Sequence, residues 1–328
     1  MSTTLRSIYS DLKKGGKPDV IKDHSFNGLT ESQIEDTKKE GFDYYEGKVR
    51  QCFSKEESLY VVHSDRLSAF DRMIGYVPYK GAILNTISDF WLEKAKEVVP
   101  THLISKVDDR SLKTLKAVPV KAEVIIRGYL AGSMMRAYEE GEREFCGNTL
   151  PEGLTPYCKL PENIITPTTK AEAFEHDENS SAEEIIEKGI ATADEWKKIE
   201  EMSRKLFELG SKVYAEKGWI LVDTKYEFGR LPNGEIIVID EIHTPDSSRF
   251  WVEESYKQRV SSGEAPVMLD KEIIRRYLMS VGFKGHGDVP VVPNDKLIEL
   301  AEVYLDVAEA LIGEPMTVAS TIEPPVFK

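Results

Sequence analysis

The chain has 328 residues, 41% hydrophobic and 30% charged, with a formal net charge of −14. That length predicts about two domains, and that balance is ordinary for a globular protein. The acidic surplus excludes a general nucleic-acid binder, which needs a basic footprint; no apolar run reaches membrane-span length, and Cys52, Cys146 and Cys158 are too scattered for a disulfide framework or zinc knuckle.

Residues 1–43 are polar and read as a peripheral extension, with 36–40 a solvated helix face. The first residues lack the apolar core of a secretion signal, so the cytosol is the expected compartment. Residues 44–62 read as a hairpin: a strand through Lys48-Val49-Arg50, a polar turn at 54–58, and a return strand at 59–62. Gly47 at the strand tip would let a phosphate approach the backbone while Lys48 neutralises it. A basic surface hairpin would give the same pattern. Ser64-Asp65-Arg66-Leu67-Ser68-Ala69-Phe70-Asp71 then packs acids, an arginine and serines into a few residues directly after an apolar strand. A capped turn explains Asp65 or Ser68 but not the whole cluster.

A helix is predicted over 86–98, with Trp91, Ala95 and Val98 on one side and Pro100 beyond its end. Residues 118–126 read as a strand, after which Ser133 would cap a short helix over 134–140 closed by Gly141. Arg127 at the strand end and Ser133 at the helix N-terminus could form an anion site, because the first helical N–H groups favour a phosphate. An ordinary serine cap beside a surface arginine is the plainer alternative. Residues 151–179, rich in Pro, Thr and Asn, read as a long loop supplying Lys170, His176 and Asp177. A lone histidine is more often structural or exposed than catalytic. Thr192 and Glu195 predict a capping box for a helix with Trp196, Ile199, Leu206, Leu209 and Val213 inward and Gly218 as its stop.

Residues 221–229, LVDTKYEFG, open as a buried strand and then place Asp223, Lys225 and Glu227 at alternate positions, hence on one face. The chain turns at Pro232-Asn233-Gly234 and returns through 236–239 to Asp240. Pairing Leu231 near Glu235 puts Glu227 almost opposite Asp240. Two carboxylates beside a lysine suit Mg²⁺ and phosphate. A solvated edge with cross-strand charge pairs would also account for them. Beyond the hairpin, Arg249 could grip a carboxylate bidentately. Asp246, Ser247 and Ser248 could hydrogen-bond a polar ring or cap a helix anchored by Phe250-Trp251. A last amphipathic helix is predicted over 294–313, from Asn294 as cap to Gly313 as stop. There is no GxxxxGK[ST] loop, and Gly285-His286-Gly287 follows no strand, so it is not a dinucleotide fingerprint.

GKVR, SDRLSAFD, VPVKAEVIIRGYLAGS, TKAEAFEHDEN, LVDTKYEFG and DEIHTPDSSRFW stand in the order seen in the SAICAR synthetase family. The resemblance covers 44–265, and more loosely the C-terminal helix; it is closest to the longer form known from fungi. Lys121-Ala122 before Glu123 is a minor departure, and 1–43 has no counterpart. The resemblance implies an α+β fold in two lobes: a smaller kinase-like ATP-binding lobe with an antiparallel sheet at 44–122, and a larger ATP-grasp-like catalytic lobe at 123–328 with C-terminal helices. It implies ATP-dependent joining of L-aspartate to carboxyaminoimidazole ribonucleotide (CAIR), with ATP between the lobes and adenine near the connection around Glu123.

The implied roles follow from the same resemblance. Gly47, Lys48 and Arg50 cover the ATP phosphates, Lys225 faces the γ-phosphate, and Glu227 and Asp240 hold Mg²⁺. Arg127 and Ser133 take the ribonucleotide phosphate, and Arg249, Asp246 and Ser247 orient CAIR. Arg66, Ser68, Asp71, Lys170, His176 and Asp177 are further substrate-binding candidates. A small-molecule kinase and a non-catalytic nucleotide-binding protein are the rival readings.

Overall fold

In the computed structural model the chain is described for residues 2–15, 21, 24–170, 178–319 and 327. By contacts it forms two compact units: Met1–Trp91 with Leu103–Lys116 and Leu269–Lys328, and Leu92–His102 with Ala117–Met268. This division falls elsewhere than 43/44 and 122/123, because the helix Leu5–Gly15 packs against the helix Asn294–Ile312 within the first unit. Among the described residues no helix is long and apolar enough to cross a membrane.

The first unit is built on a five-stranded antiparallel sheet in the order Asp43–Glu46, Arg50–Lys55, Ser58–His63, Ser111–Leu115, Leu103–Lys106. The predicted strand through Lys48-Val49-Arg50 is instead a turn, closed by the Gly47 N–H donating to the Arg50 carbonyl at 2.8 Å. The N-terminal extension is less peripheral than its composition suggests. Leu5 and Tyr9 are fully buried, and the Tyr9 hydroxyl donates to the Pro78 carbonyl. The predicted solvated face holds: the helix Glu31–Lys39 has no buried residue.

The helix predicted over 86–98 runs from Lys80 to Ala95. Its early start is set by a residue remote in sequence. The buried Asp65 carboxylate accepts from the Tyr79 and Gly81 N–H groups at 3.1 and 2.7 Å, and from both terminal nitrogens of the Arg110 guanidinium. Donors at a helix start need an acceptor, and here no local side chain announces one. Asp65 is therefore accounted for by this packing.

The second unit centres on a six-stranded antiparallel sheet. The long strand Trp219–Arg230, here the central strand, pairs on one side with Val118–Tyr129. Its other edge is shared: Ser248–Val252 pairs with its first half and Ile236–Ile239 with its last residues. Outside Val118–Tyr129 lies Lys159–Thr169, inside the stretch predicted as loop. Its prolines disguised it: Pro161 falls in a register shift between Lys159 and Ile164, while Pro167 pairs opposite Val124 near the strand's end.

One sheet face is covered by the helix Ala193–Ala215, capped by the expected Thr192/Glu195 box. Trp196, Ile199, Leu206 and Val213 are buried on it, each contributing about 1.5–3 kcal/mol for full burial; Leu209 is only half-buried. Three cap or helix predictions fail locally. Ser133 lies in the first turn of Gly132–Glu139, whose N-cap is Ala131, without a side-chain cap bond. Asn294 opens its helix, with Pro293 as N-cap. Phe250 and Trp251 are buried in the strand Ser248–Val252, and the helix begins only at Glu253.

Candidate functional site

Cross-strand partners point to the same side of a sheet. Asp223 stands opposite both Arg127 and Arg249, and Glu227 opposite Glu123. Lys225 lies between them on the central strand, so all six share the face turned away from the Ala193–Ala215 helix. Tyr226 and Phe228 take the other face and are buried. The alternation read from the sequence thus marks a polar sheet face with two charge groups. They lie roughly 13 Å apart along the strand, at about 3.3 Å per residue.

The first group is an acid held between two guanidinium ions. Arg127 is 3% exposed; its Nη1 donates to Asp223 Oδ2 at 3.2 Å, its Nε to Thr166 Oγ1 at 2.9 Å, and its Nη2 to Ser133 Oγ at 3.4 Å. Arg249 Nη1 donates to both Asp223 oxygens at 3.0 and 2.8 Å. Burial lowers the Arg127 pKa, Asp223 opposes that shift, and Arg249 adds to it. Two guanidinium groups thus converge on Asp223 beside the uncapped start of the helix Gly132–Glu139. Gly132 has φ +60°, and a Cβ there would lie 2.6 Å from Arg249 Nη2. Only glycine lets this helix end approach the guanidinium so closely.

The second group reverses the sign. Glu123 and Glu227 stand directly opposite, an arrangement of like charges that destabilises a sheet unless a cation intervenes. Lys225 supplies it: its Nζ lies 2.6 Å from Glu227 Oε1, 3.3 Å from Asp240 Oδ2 and 3.4 Å from Glu123 Oε1. Lys170 Nζ takes the other Glu227 oxygen at 2.5 Å. Burial alone would lower the Lys225 ammonium, but Glu227, Glu123 and Asp240 together outweigh it and raise its pKa well above the usual range. Glu123 therefore belongs to this carboxylate group, within the strand Val118–Tyr129 and not on a connection.

The position of Asp240 has a structural cause. The expected turn forms, with the Leu231 N–H donating to the Glu235 carbonyl at 2.9 Å, but Glu227 pairs with Ile239. Asp240 is thus one residue past the ladder, where the edge passes from one neighbouring strand to the next. It adopts φ +65°, and His243 φ +54°, conformations uncommon outside glycine. The His243 ring is fully buried, with Nε2 2.6 Å from the Tyr226 hydroxyl. A Cβ on Gly210 would meet that ring at 2.5 Å. Burial pushes the His243 pKa down to about 3, which keeps the ring neutral. Ser247 closes the same loop through its carbonyl, which accepts from the Lys225 N–H at 3.0 Å, and its hydroxyl lies 3.2 Å from Thr244 Oγ1. Asp246 is half-buried in this loop.

In the other unit, Lys48 Nζ contacts Asp71 Oδ1 at 2.6 Å, joining the tips of two hairpins; both side chains are exposed. Arg66 donates to Ser64 Oγ at 2.9 Å and Glu46 Oε1 at 2.8 Å. Gly47 and Arg50 border the turn at Lys48, and Ser68 pairs opposite Met73. Phe70 and Asp71 both have positive φ in the two-residue turn that links Ala69 to Arg72. His176 and Asp177 lie outside the described residues.

Asp223, Thr166 and Gly132 complete the first group without having been assigned a role from the sequence. Asp223 was visible in the alternation, but only strand pairing reveals it as the anchor of Arg127 and Arg249. Thr166 carried no signal of its own. Gly132 sat within a quoted motif, yet its purpose depends on a remote arginine.

The family model described as SAICAR synthetase matches residues 43–291. This chain belongs to the SAICAR synthetase family. It is similar to the phosphoribosylaminoimidazole-succinocarboxamide synthase of Bacteroides fragilis, 43% identical over 274 residues covering 82% of this chain and 87% of that one. The corresponding synthase of Flavobacterium psychrophilum is 41% identical over the same shares of the two chains. Among solved structures, SAICAR synthase from Saccharomyces cerevisiae, complexed with SAICAR, is similar with TM-score 0.72 and 31% identity over 84% of this chain and 96% of that one. These bacterial sequences are thus nearer in identity than the yeast structure. A SAICAR synthetase (Type-2) in complex with ADP aligns with TM-score 0.65 and 27% identity, over 84% of this chain and 99% of that one. The α+β architecture with antiparallel sheets is that of the family, and SAICAR synthetases are ligases.

Proposed function

We propose that the polar sheet face is the working surface of an ATP-dependent carboxylate–amine ligase that joins L-aspartate to CAIR, giving SAICAR, ADP and phosphate. The observation that carries this reading is the pairing, along one strand, of a cationic group suited to a phosphorylated substrate with a carboxylate–lysine group suited to phosphoryl transfer. The SAICAR- and ADP-bound relatives support the same substrate classes.

An amine does not displace oxide from a free carboxylate. In the proposed route a CAIR carboxylate oxygen attacks the γ-phosphorus and ADP leaves. The aspartate amine then attacks the acyl carbon, phosphate departs with the oxygen it acquired, and the amine gives up a proton. Catalysis of this kind is mostly positioning and charge neutralisation. Arg127, Ser133 and the start of the helix Gly132–Glu139 would hold the ribonucleotide phosphate. Arg249, its fork fixed by Asp223, would orient the CAIR carboxylate, with Asp246 and Ser247 lining the neighbouring loop. Lys225 would neutralise charge at the γ-phosphoryl group. Gly47, Lys48 and Arg50 are assigned to ATP phosphates, and Arg66, Ser68 and Asp71 to substrate, on the resemblance alone.

Among the described residues, no group of three or more His, Cys, Asp or Glu side chains could hold a metal ion by itself. Mg²⁺ in phosphoryl-transfer sites takes one or two carboxylates and completes its shell with phosphate and water. The all-oxygen set of Glu227 and Asp240 fits such an ion. When bound, Mg²⁺ would neutralise and orient the transferring phosphoryl group.

ADP release, followed by a coupled assay, is expected to require CAIR and aspartate together with ATP. Sustained release with CAIR alone, leaving a stable phosphorylated product, would replace the ligase reading with a kinase.

A further inference from the structure

We propose that Lys170 is the resting counter-ion of Glu227, a positioning residue that must give up this carboxylate before a divalent cation can take it. The inference rests on Glu227 being a metal ligand. Both oxygens of Glu227 are engaged by ammonium groups, Oε1 by Lys225 at 2.6 Å and Oε2 by Lys170 at 2.5 Å. The Glu227 side chain is only 8% exposed, so it cannot swing outward to meet an ion. One of the two lysines has to yield.

The surroundings decide which. Lys225 is 22% exposed and contacts three carboxylates, so displacing it would give up three ion pairs at once. Lys170 is 42% exposed and, among the described residues, reaches one carboxylate. An ammonium that can retreat into water loses little, because an exposed ion pair gains little over hydration. Its backbone meanwhile stays fixed. The Lys170 N–H donates to the Lys121 carbonyl at 3.1 Å, just past the strand Lys159–Thr169. The side chain alone therefore makes the exchange, trading one positive charge for two beside Glu227 and Asp240.

The test is binding of Mn²⁺ alone to the nucleotide-free full chain, read from the electron paramagnetic resonance signal of the free ion. Lys170→Met keeps the stem and removes the charge. It is expected to tighten Mn²⁺ binding by about twofold to fivefold, the size of a partly exposed ion pair. Lys170→Arg keeps the charge and should bind Mn²⁺ no more tightly than the wild type. Glu227→Gln should weaken binding. If Glu227→Gln weakens it while Lys170→Met binds as the wild type or worse, the counter-ion role is overturned and the metal assignment stands. If Glu227→Gln binds as the wild type does, the metal assignment fails and takes this inference with it. Undetectable binding by Lys170→Met at millimolar Mn²⁺ would likewise overturn it.

Discussion

Glu227→Gln is expected to lower kcat by roughly a hundredfold to a thousandfold, because it removes several kcal/mol of charge stabilisation from phosphoryl transfer. The fold should survive. Glutamine has the same shape, and Lys225 keeps Glu123 and Asp240 as partners at 3.4 and 3.3 Å. Asp240→Asn should behave alike, for a further reason of backbone chemistry. Asp240 sits at φ +65°, and asparagine tolerates that region at least as well as aspartate, whereas a β-branched residue would not. Steady-state ADP release at saturating Mg²⁺, beside a thermal melt of each variant, makes the check. A normal melt with near-normal turnover would remove that residue from the metal site.

The second large effect is expected at Arg127. Arg127→Met should raise KM for CAIR by about 10- to 150-fold while changing KM for ATP much less. That range corresponds to about 1.5–3 kcal/mol for a hydrogen bond to a charged group. Methionine fills most of the space left by the buried side chain, and Asp223 keeps its two contacts from Arg249, so no buried charge is left alone. Comparing KM for CAIR and for ATP separates a phosphate site from general damage. Equal increases for both substrates would mean that this helix end serves another ligand or none.

Much of this site could be read from residue order because it is written on one strand. The 223/225/227 alternation and the Pro232–Gly234 turn are local patterns; the turn forms, and Glu227 and Asp240 both lie against Lys225. What escaped was set by distant partners. The helix at Lys80 begins where Asp65 accepts its first N–H groups, and no residue next to that start announces it. The strand Lys159–Thr169 was hidden by prolines, which lower strand propensity on average but are tolerated at a register shift and near a strand's end. Ser133 looked like a cap because serine so often is one, yet its hydroxyl meets Arg127 while Ala131 holds the cap position. Residues 1–43 looked peripheral because their few apolar side chains are spaced through polar sequence. Leu5 and Tyr9 are nonetheless buried, in a unit that also draws in residues from the far end of the chain.

The proposed route requires a carboxylate to be phosphorylated on a sheet face that also binds a phosphorylated ribonucleotide. The most direct test uses CAIR labelled with ¹⁸O in that carboxylate, with the phosphate released in one turnover analysed by mass spectrometry. An acyl-phosphate route carries one labelled oxygen from carboxylate to phosphate for each SAICAR formed, and in Glu227→Gln the transfer should slow in step with turnover. Unlabelled phosphate accompanying normal SAICAR formation would contradict that route.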